Sequence, residues 1–221
     1  MKRIATDNDG FTLMELIVVV AIIGIAAAVA IPTLMSELPK FKVNGAVRNL
    51  ASDMQWAKMK AVAENNEFVM KFDMTENCNK DKYWIYDDNG SDGVTLTCSN
   101  GDLVPTDTTK ETLVKTGVLP TGIKFGRALA GIKRTSCPDT IDTDGIHLPS
   151  GGSILTFQTN GLPSGTGGSV YLIPSQDDEN NAQRTDRWRA ISVSSTGRIK
   201  GWKYELSAQN CGNSQGPWSP L

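Results

Sequence analysis

Histidine is nearly absent from the 221 residues: it occurs once, as His147. Cysteine occurs four times, at Cys78, Cys98, Cys137 and Cys211, and no two are spaced C-x-x-C. One histidine and no close cysteine pair exclude the usual zinc ligand sets and a thioredoxin-type site. A nucleophile elbow, a P-loop and an H-E-x-x-H helix are also missing. His147 stands in a Gly- and Pro-bounded loop with no carboxylate motif beside it, so it reads as a surface or loop residue. The chain is therefore expected to be no enzyme, with no catalytic residue, cofactor or metal. Charge of one sign is lacking as well. A net charge of -2 with 21% charged residues carries neither a global nucleic-acid signature nor an acidic tail.

What the chain does have is a long apolar run. Phe11 to Ile31 is uncharged apart from Glu15 and free of proline. A helix of that length rises about 31 Å, enough to cross the hydrocarbon of a bilayer. An acid within such a span costs about 2.5–3.5 kcal/mol, so Glu15 calls for a partner. A type I signal peptide is the simpler alternative, with Ala26-Ala27-Ala28 or Ala28-Val29-Ala30 as cleavage sites. Asp7, Asp9 and Glu15 near the start, and a run longer than the usual h-region, argue against it. Lys2 and Arg3 favour an N-inside orientation, which puts the C-terminal domain outside the cytoplasm. Disulfides are expected in such an oxidising compartment. Four cysteines allow three pairings, and spacing does not choose between them. Cys78–Cys98 across neighbouring strands, with Cys137–Cys211 tying down the tail, is the expected set.

Gly10, Phe11, Thr12, Leu13, Met14, Glu15 and Leu16, followed by the apolar run and Pro32, resemble the class III signal of type IV pilins and type II secretion pseudopilins. The resemblance implies cleavage after Gly10 by a prepilin peptidase, N-methylation of Phe11, and filament-assembly roles for Thr12, Glu15 and Pro32. Physics supplies a reason for Glu15. In a packed filament the N-terminal amine of one helix can meet a neighbour's carboxylate, and each offsets the other's desolvation.

Past the apolar run, Pro32 and Pro39 are expected to kink or interrupt the helix, with Gly45 a third soft point. Val43, Val47, Leu50, Met54, Ala57 and Ala61 then recur every three or four residues, one face of an amphipathic helix. Arg48, Asn49, Asp53, Gln55, Lys58 and Lys60 are assigned to the opposite face. Asn65-Asn66 is a helix stop. From Glu67 the period changes to two, with strands expected in EFVMKFD, KYWIYDD, VTLTC, GIKF, SILTF, SVYLI, RAISVSS and GRIKGWKYE. Asp88-Asn89-Gly90 reads as a hairpin turn between the strands around Trp84 and Val94. Segments 100–122 and 130–153 read as loops, and 209–221 as a tail.

The helix end with its first strand, LTFQTNGLPSG and RAISVSSTGRIKG together resemble the GspH/FimT/FimU group of minor pilins and pseudopilins. The implied fold is α+β, a pilin fold with a long N-terminal helix on antiparallel sheets. The expected division is a leader at 1–10, a transmembrane and assembly helix at 11–32, an amphipathic helical half at 33–66, and a β-rich domain at 67–221. Residues 74–153 match no pattern.

Two acidic stretches, Asp87 to Gly93 and Asp139 to Gly145, resemble calcium loops superficially. Both fail the EF-hand pattern and read as polar turns. Arg184, Arg187, Arg189, Arg198, Lys200 and Lys203 crowd the end of the chain near Trp188 and Trp202. The turn Gly197-Arg198-Ile199-Lys200 resembles one that serves DNA uptake in the FimT branch, with Arg198 and Lys200 as DNA contacts. A solvated hairpin face is the simpler reading. The expected function is a minor pilin that helps initiate or cap a type IV pilus. The alternatives are an H-type pseudopilin of type II secretion and a pilus-displayed DNA-binding subunit. Its partners would be other pilins, the prepilin peptidase, the inner-membrane assembly platform and the inner membrane, where it would be single-pass with a periplasmic domain.

Overall fold

A computed structural model describes residues 11–72, 82–89, 95–99, 102–106, 108–126, 135, 145–148, 153–177, 185–205 and 218–221. The chain divides into two compact units, 1–38 and 39–221. Helix α1 (Leu13–Glu64, 52 residues) begins in the first and ends in the second.

In the first unit the helix is apolar all round. Its most apolar stretch has a mean hydropathy of 2.8 and none of it is buried. Of the expected kink or interruption, the interruption does not occur: α1 runs unbroken through Pro32 and Pro39. A proline removes one donor and disturbs the turn before it. Next to Pro32, the Thr33 hydroxyl donates to the Val29 carbonyl at 3.3 Å. Gly45 also lies within the unbroken helix.

In the second unit α1 is amphipathic, as its sequence period requires. Val43, Val47, Leu50, Met54, Ala57 and Ala61 are all buried. The stop falls where expected. Asn65 takes φ 51°, and the Asn66 N–H donates to the Ala61 carbonyl at 3.2 Å. That left-handed residue and six-to-one bond form a Schellman ending. The expectation for Asp53 fails: it is 9% exposed, accepting from the Tyr83 hydroxyl at 2.7 Å and from Lys115 at 2.6 Å.

Two antiparallel sheets pack with this helix face in one core. The first holds β1 (Glu67–Phe72), β2 (Lys82–Asp88), β5 (Glu111–Val118) and β8 (Ile154–Phe157), in the order β5-β2-β1-β8. The second holds β6 (Ile123–Phe125), β9 (Gly167–Pro174), β10 (Arg189–Ser194), β11 (Ile199–Tyr204) and β12 (Trp218–Pro220), in the order β12-β11-β10-β9-β6. Strand β7 (Ile146–His147) also pairs with β9. A separate hairpin joins β3 (Leu96–Ser99) to β4 (Asp102–Pro105).

Alternation sets the faces. Phe68, Met70 and Phe72 of β1, Ile85 of β2, Leu172 of β9 and Ile191 of β10 meet the helix. The other face of the second sheet carries Tyr171, Trp188, Trp202, Tyr204 and Trp218. That of the first carries Trp84 and Tyr86, packed with Leu103 of β4.

The eight expected strands form, but four connections differ from expectation; one is 130–153, read as a loop, where Ile146–His147 forms β7 against β9. Segment 100–122 contains β4 and β5, whose alternation is weak because Thr112 to Thr116 are exposed on both faces. The partner of β2 is therefore β5, and the strand near Val94 pairs with β4 instead. The tail supplies β12, which is held by Trp218 against Tyr171 and Tyr204.

Candidate functional site

The N-terminal segment is a helix start with its own cap. The Thr12 hydroxyl accepts the Glu15 N–H at 3.2 Å, and the Thr12 carbonyl accepts the Leu16 N–H at 3.2 Å. Thr12 is thus the N-cap and Glu15 the third helical residue, the T-x-x-E spacing of a capping box. The sequence reading missed this, although the spacing itself was the signal. A carboxylate in the first turn also meets the positive end of the helix dipole, worth about 0.3–1 kcal/mol. Phe11 is 84% exposed, and Leu13, Met14 and Leu16 beside it are exposed too. The structure therefore brings Phe11, Thr12 and Glu15 to one helix start, places Pro32 further along the same helix, and leaves Gly10 outside the described residues.

The second candidate is the basic stretch, and the structure dismantles much of it. Arg187 and Arg189 are 5% and 3% exposed. The Arg187 guanidinium pairs with Asp177 at 3.0 Å. Arg189 donates to Asn44 Oδ1 and to the Asp186 and Trp188 carbonyls at 2.7–2.8 Å. Burial pushes the Arg189 pKa below its usual value, and Asp186 opposes that shift. Lys203 pairs with Glu205 at 3.0 Å, and Arg184 lies outside the described residues.

Arg198 and Lys200 remain at the surface, on the β10–β11 hairpin. Its turn closes through Gly197 N–H to the Ser194 carbonyl at 2.8 Å and Ser194 N–H to the Arg198 carbonyl at 3.0 Å. Gly197 has φ 72°, and a Cβ there would meet the Gly161 carbonyl oxygen and the Lys58 Nζ at 2.9 Å. Only glycine suits both the dihedral and the space. Lys58 in turn donates to the Gly197 carbonyl at 2.8 Å and ties the hairpin to α1. Lys200 Nζ lies 3.9 Å from the Trp202 ring centroid, a cation–π contact.

His147 is not a loop residue. It sits in β7 opposite Ser169, beside a cavity of about 330 Å³ that Ser192 and Trp202 also line. Cys98 is disulfide-bonded, while Cys78, Cys137 and Cys211 lie outside the described residues. Most of the two acidic stretches lies outside them as well. Among the described residues no three His, Cys, Asp or Glu side chains converge on a metal position.

Comparison with known proteins follows the same two regions. The family described as Type II transport protein GspH matches residues 46–197. This chain belongs to the GspH family. The Prokaryotic N-terminal methylation motif matches residues 6–31. Two proteins of Pseudomonas aeruginosa, each named Fimbrial protein, are 43% identical over 62 residues, which is 28% of this chain and 40% of theirs. The chain thus spans less than half the length of these curated relatives.

Among solved structures, the type IV minor pilin FimU of P. aeruginosa aligns with a TM-score of 0.40 and 16% identity, covering 72% of this chain and 86% of that one. The minor pseudopilin EpsH of the Vibrio cholerae type 2 secretion system aligns with a TM-score of 0.42 and 7% identity, covering 73% and 97%. The GspH-family chain has an α+β fold, a long helix with antiparallel sheets. The methylation motif implies processing by a prepilin peptidase.

Proposed function

We propose that this subunit helps initiate or cap a type IV pilus. The observation that carries the proposal is the capped helix start. Thr12 and Glu15 open an exposed apolar helix that continues into a folded α+β unit. Exposed apolar surface of that extent needs lipid or other helices to cover it. In this reading residues 1–10 are a leader on the cytoplasmic side, and residues 11–32 cross the inner membrane once. Residues 33–66 join that span to a periplasmic domain at 67–221. The peptidase cuts after Gly10, Phe11 is N-methylated, and the assembly platform draws the subunit into the filament. There Glu15 meets a neighbour's N-terminal amine. Cys98 pairs with Cys78, and Cys137 with Cys211.

The local identity to fimbrial proteins favours the pilus. The family description favours a second reading, the H-type pseudopilin of type II secretion. The intact mass and N-terminal residue of the protein from native membranes test the processing step. An N-methylated Phe11 is expected. A start near Ile31, or an uncut Met1, would remove the assembly role.

A further inference from the structure

The outer face of the second sheet carries a polar row beside its aromatic cluster. Val170 and Leu172 of β9, Ile191 and Val193 of β10, and Ile199 of β11 belong to the helix side. Alternation therefore turns Ser169, Ser192 and Lys200 to the other side, together with Tyr171, Ala190 and Trp202. Register sets the three in line: Lys200 faces Ser192, and Ser192 faces Ser169. Along this row lies the cavity of about 330 Å³, which Thr135, Ser169, Ser192 and Trp202 line. Its volume is at the lower end of small-ligand pockets, about 300–1,000 Å³.

The hydroxyls around this cavity hold protons that no described residue takes up. Ser192 Oγ accepts the Trp202 indole N–H at 2.7 Å, so its own proton is left over. The Thr135 and Ser169 hydroxyls share one hydrogen bond of 2.7 Å. They own two protons between them, and one bond uses one. These residues are 7% and 6% exposed, so the remaining O–H is a desolvated donor, costly to leave unpaired. Lys200 adds a charge at the rim. Its Nζ lies 3.9 Å from the Trp202 ring centroid, and it has no ion pair with any described residue. No Asp or Glu stands among the described residues of the lining. His147, opposite Ser169 on β7, is engaged within the protein and stays outside the site.

We infer that the cavity binds an oxyanion, the carboxylate or phosphate group of a small organic molecule. Hydroxyl donors from β9 and β10 and an ammonium from β11 converge where no carboxylate competes, which suits a group that only accepts. Hydrogen bonds to an ionised oxygen are about twice as strong as neutral ones. The ammonium of Lys200, held on the ring of Trp202, can turn from the ring to the ligand. The volume leaves room for an organic body beside the anionic group. The site lies on the face away from α1, so it does not depend on how the helix is used.

The test uses the full-length protein in detergent at constant ionic strength, with inorganic phosphate, glucuronate and glucose as probes. Phosphate is the anionic group alone, glucuronate a carboxylate on an organic body, and glucose a similar body without charge. Tryptophan fluorescence reports binding because Trp202 lines the cavity, and the unfolding midpoint reports it because a ligand of the folded state raises it. Phosphate or glucuronate should change both signals and saturate by about 10 mM, where a millimolar site is nearly full. Glucose should change neither. Whichever anion acts identifies the group as phosphate or carboxylate. Lys200→Gln and Ser192→Ala should each weaken binding about tenfold, the loss of one hydrogen bond to a charged group. Lys200→Gln, at the rim, should unfold without ligand as the wild type does, which separates lost binding from lost folding. No response to either anion, an equal response to glucose, or an unchanged affinity in Lys200→Gln would each overturn the assignment. Binding of duplex DNA with neither small anion bound would overturn it as well.

Discussion

Asp53 shows how far one residue can depart from its place in a periodic pattern. The helical period assigns it to the polar face of α1, and yet it is buried, receiving the Tyr83 hydroxyl and the Lys115 ammonium. Nothing in the neighbouring residues announces this, because both partners are on strands β2 and β5, distant in sequence. The pairing has a consequence at high pH. Burial first, and then the hydrogen bond and charge of Asp53, raise the Tyr83 pKa well above its ordinary value of 10.0. The folded protein keeps that proton when the unfolded chain has lost it. Stability from this group is therefore complete below about pH 10 and falls as pH rises further. Denaturant unfolding of the wild type against Tyr83→Phe should show the difference. The wild type should lose stability more steeply above pH 10, and equal slopes would refute the coupling. Asp53→Ala, which leaves Tyr83 without its acceptor, should cost about 1–3 kcal/mol in the same assay at neutral pH.

Elements were legible in the sequence where one strong local period ran uninterrupted. The buried stripe of α1, its stop at Asn65 and eight strands all follow from periods of 3.6 and 2. Strand β5 was hidden because its middle residues are exposed on both faces and alternate weakly. Strand β12 was hidden because only Trp218 anchors it, within a polar tail. The β10–β11 hairpin was legible as a turn, but not in its electrostatics, since burial of Arg187 and Arg189 depends on the tertiary fold. That burial limits what the hairpin can do with nucleic acid. Two surface cations, Arg198 and Lys200, neutralise two phosphates at most, and each contributes about 0.9 to the slope of log affinity against log salt. Arg198→Ala with Lys200→Ala should therefore flatten the slope for duplex DNA by about 1.8. An unchanged slope would remove the hairpin from any DNA-binding surface.

At the scale of the whole molecule, Glu15 connects the fold of one subunit to the assembly of many. It stands third in its own helix, its N–H bonded to the Thr12 hydroxyl in the T-x-x-E spacing of a capping box, and in the filament reading its charge also meets a neighbour's amine. The two roles separate by substitution. Glutamine at the third helical position supports a capping box about as well as glutamate does, but it brings no charge. Glu15→Gln should preserve the helix start, membrane insertion and cleavage after Gly10, while incorporation into sheared filaments falls steeply. Glu15→Ala loses both roles and should assemble no better. Thr12→Ala removes only the cap, at a cost of about 1 kcal/mol to the helix start, and should assemble far better than Glu15→Gln. Quantifying the subunit in membrane and filament fractions decides the matter. If Glu15→Gln assembles like the wild type and Thr12→Ala does not, the acid serves its own helix, and the pairing between subunits must be abandoned.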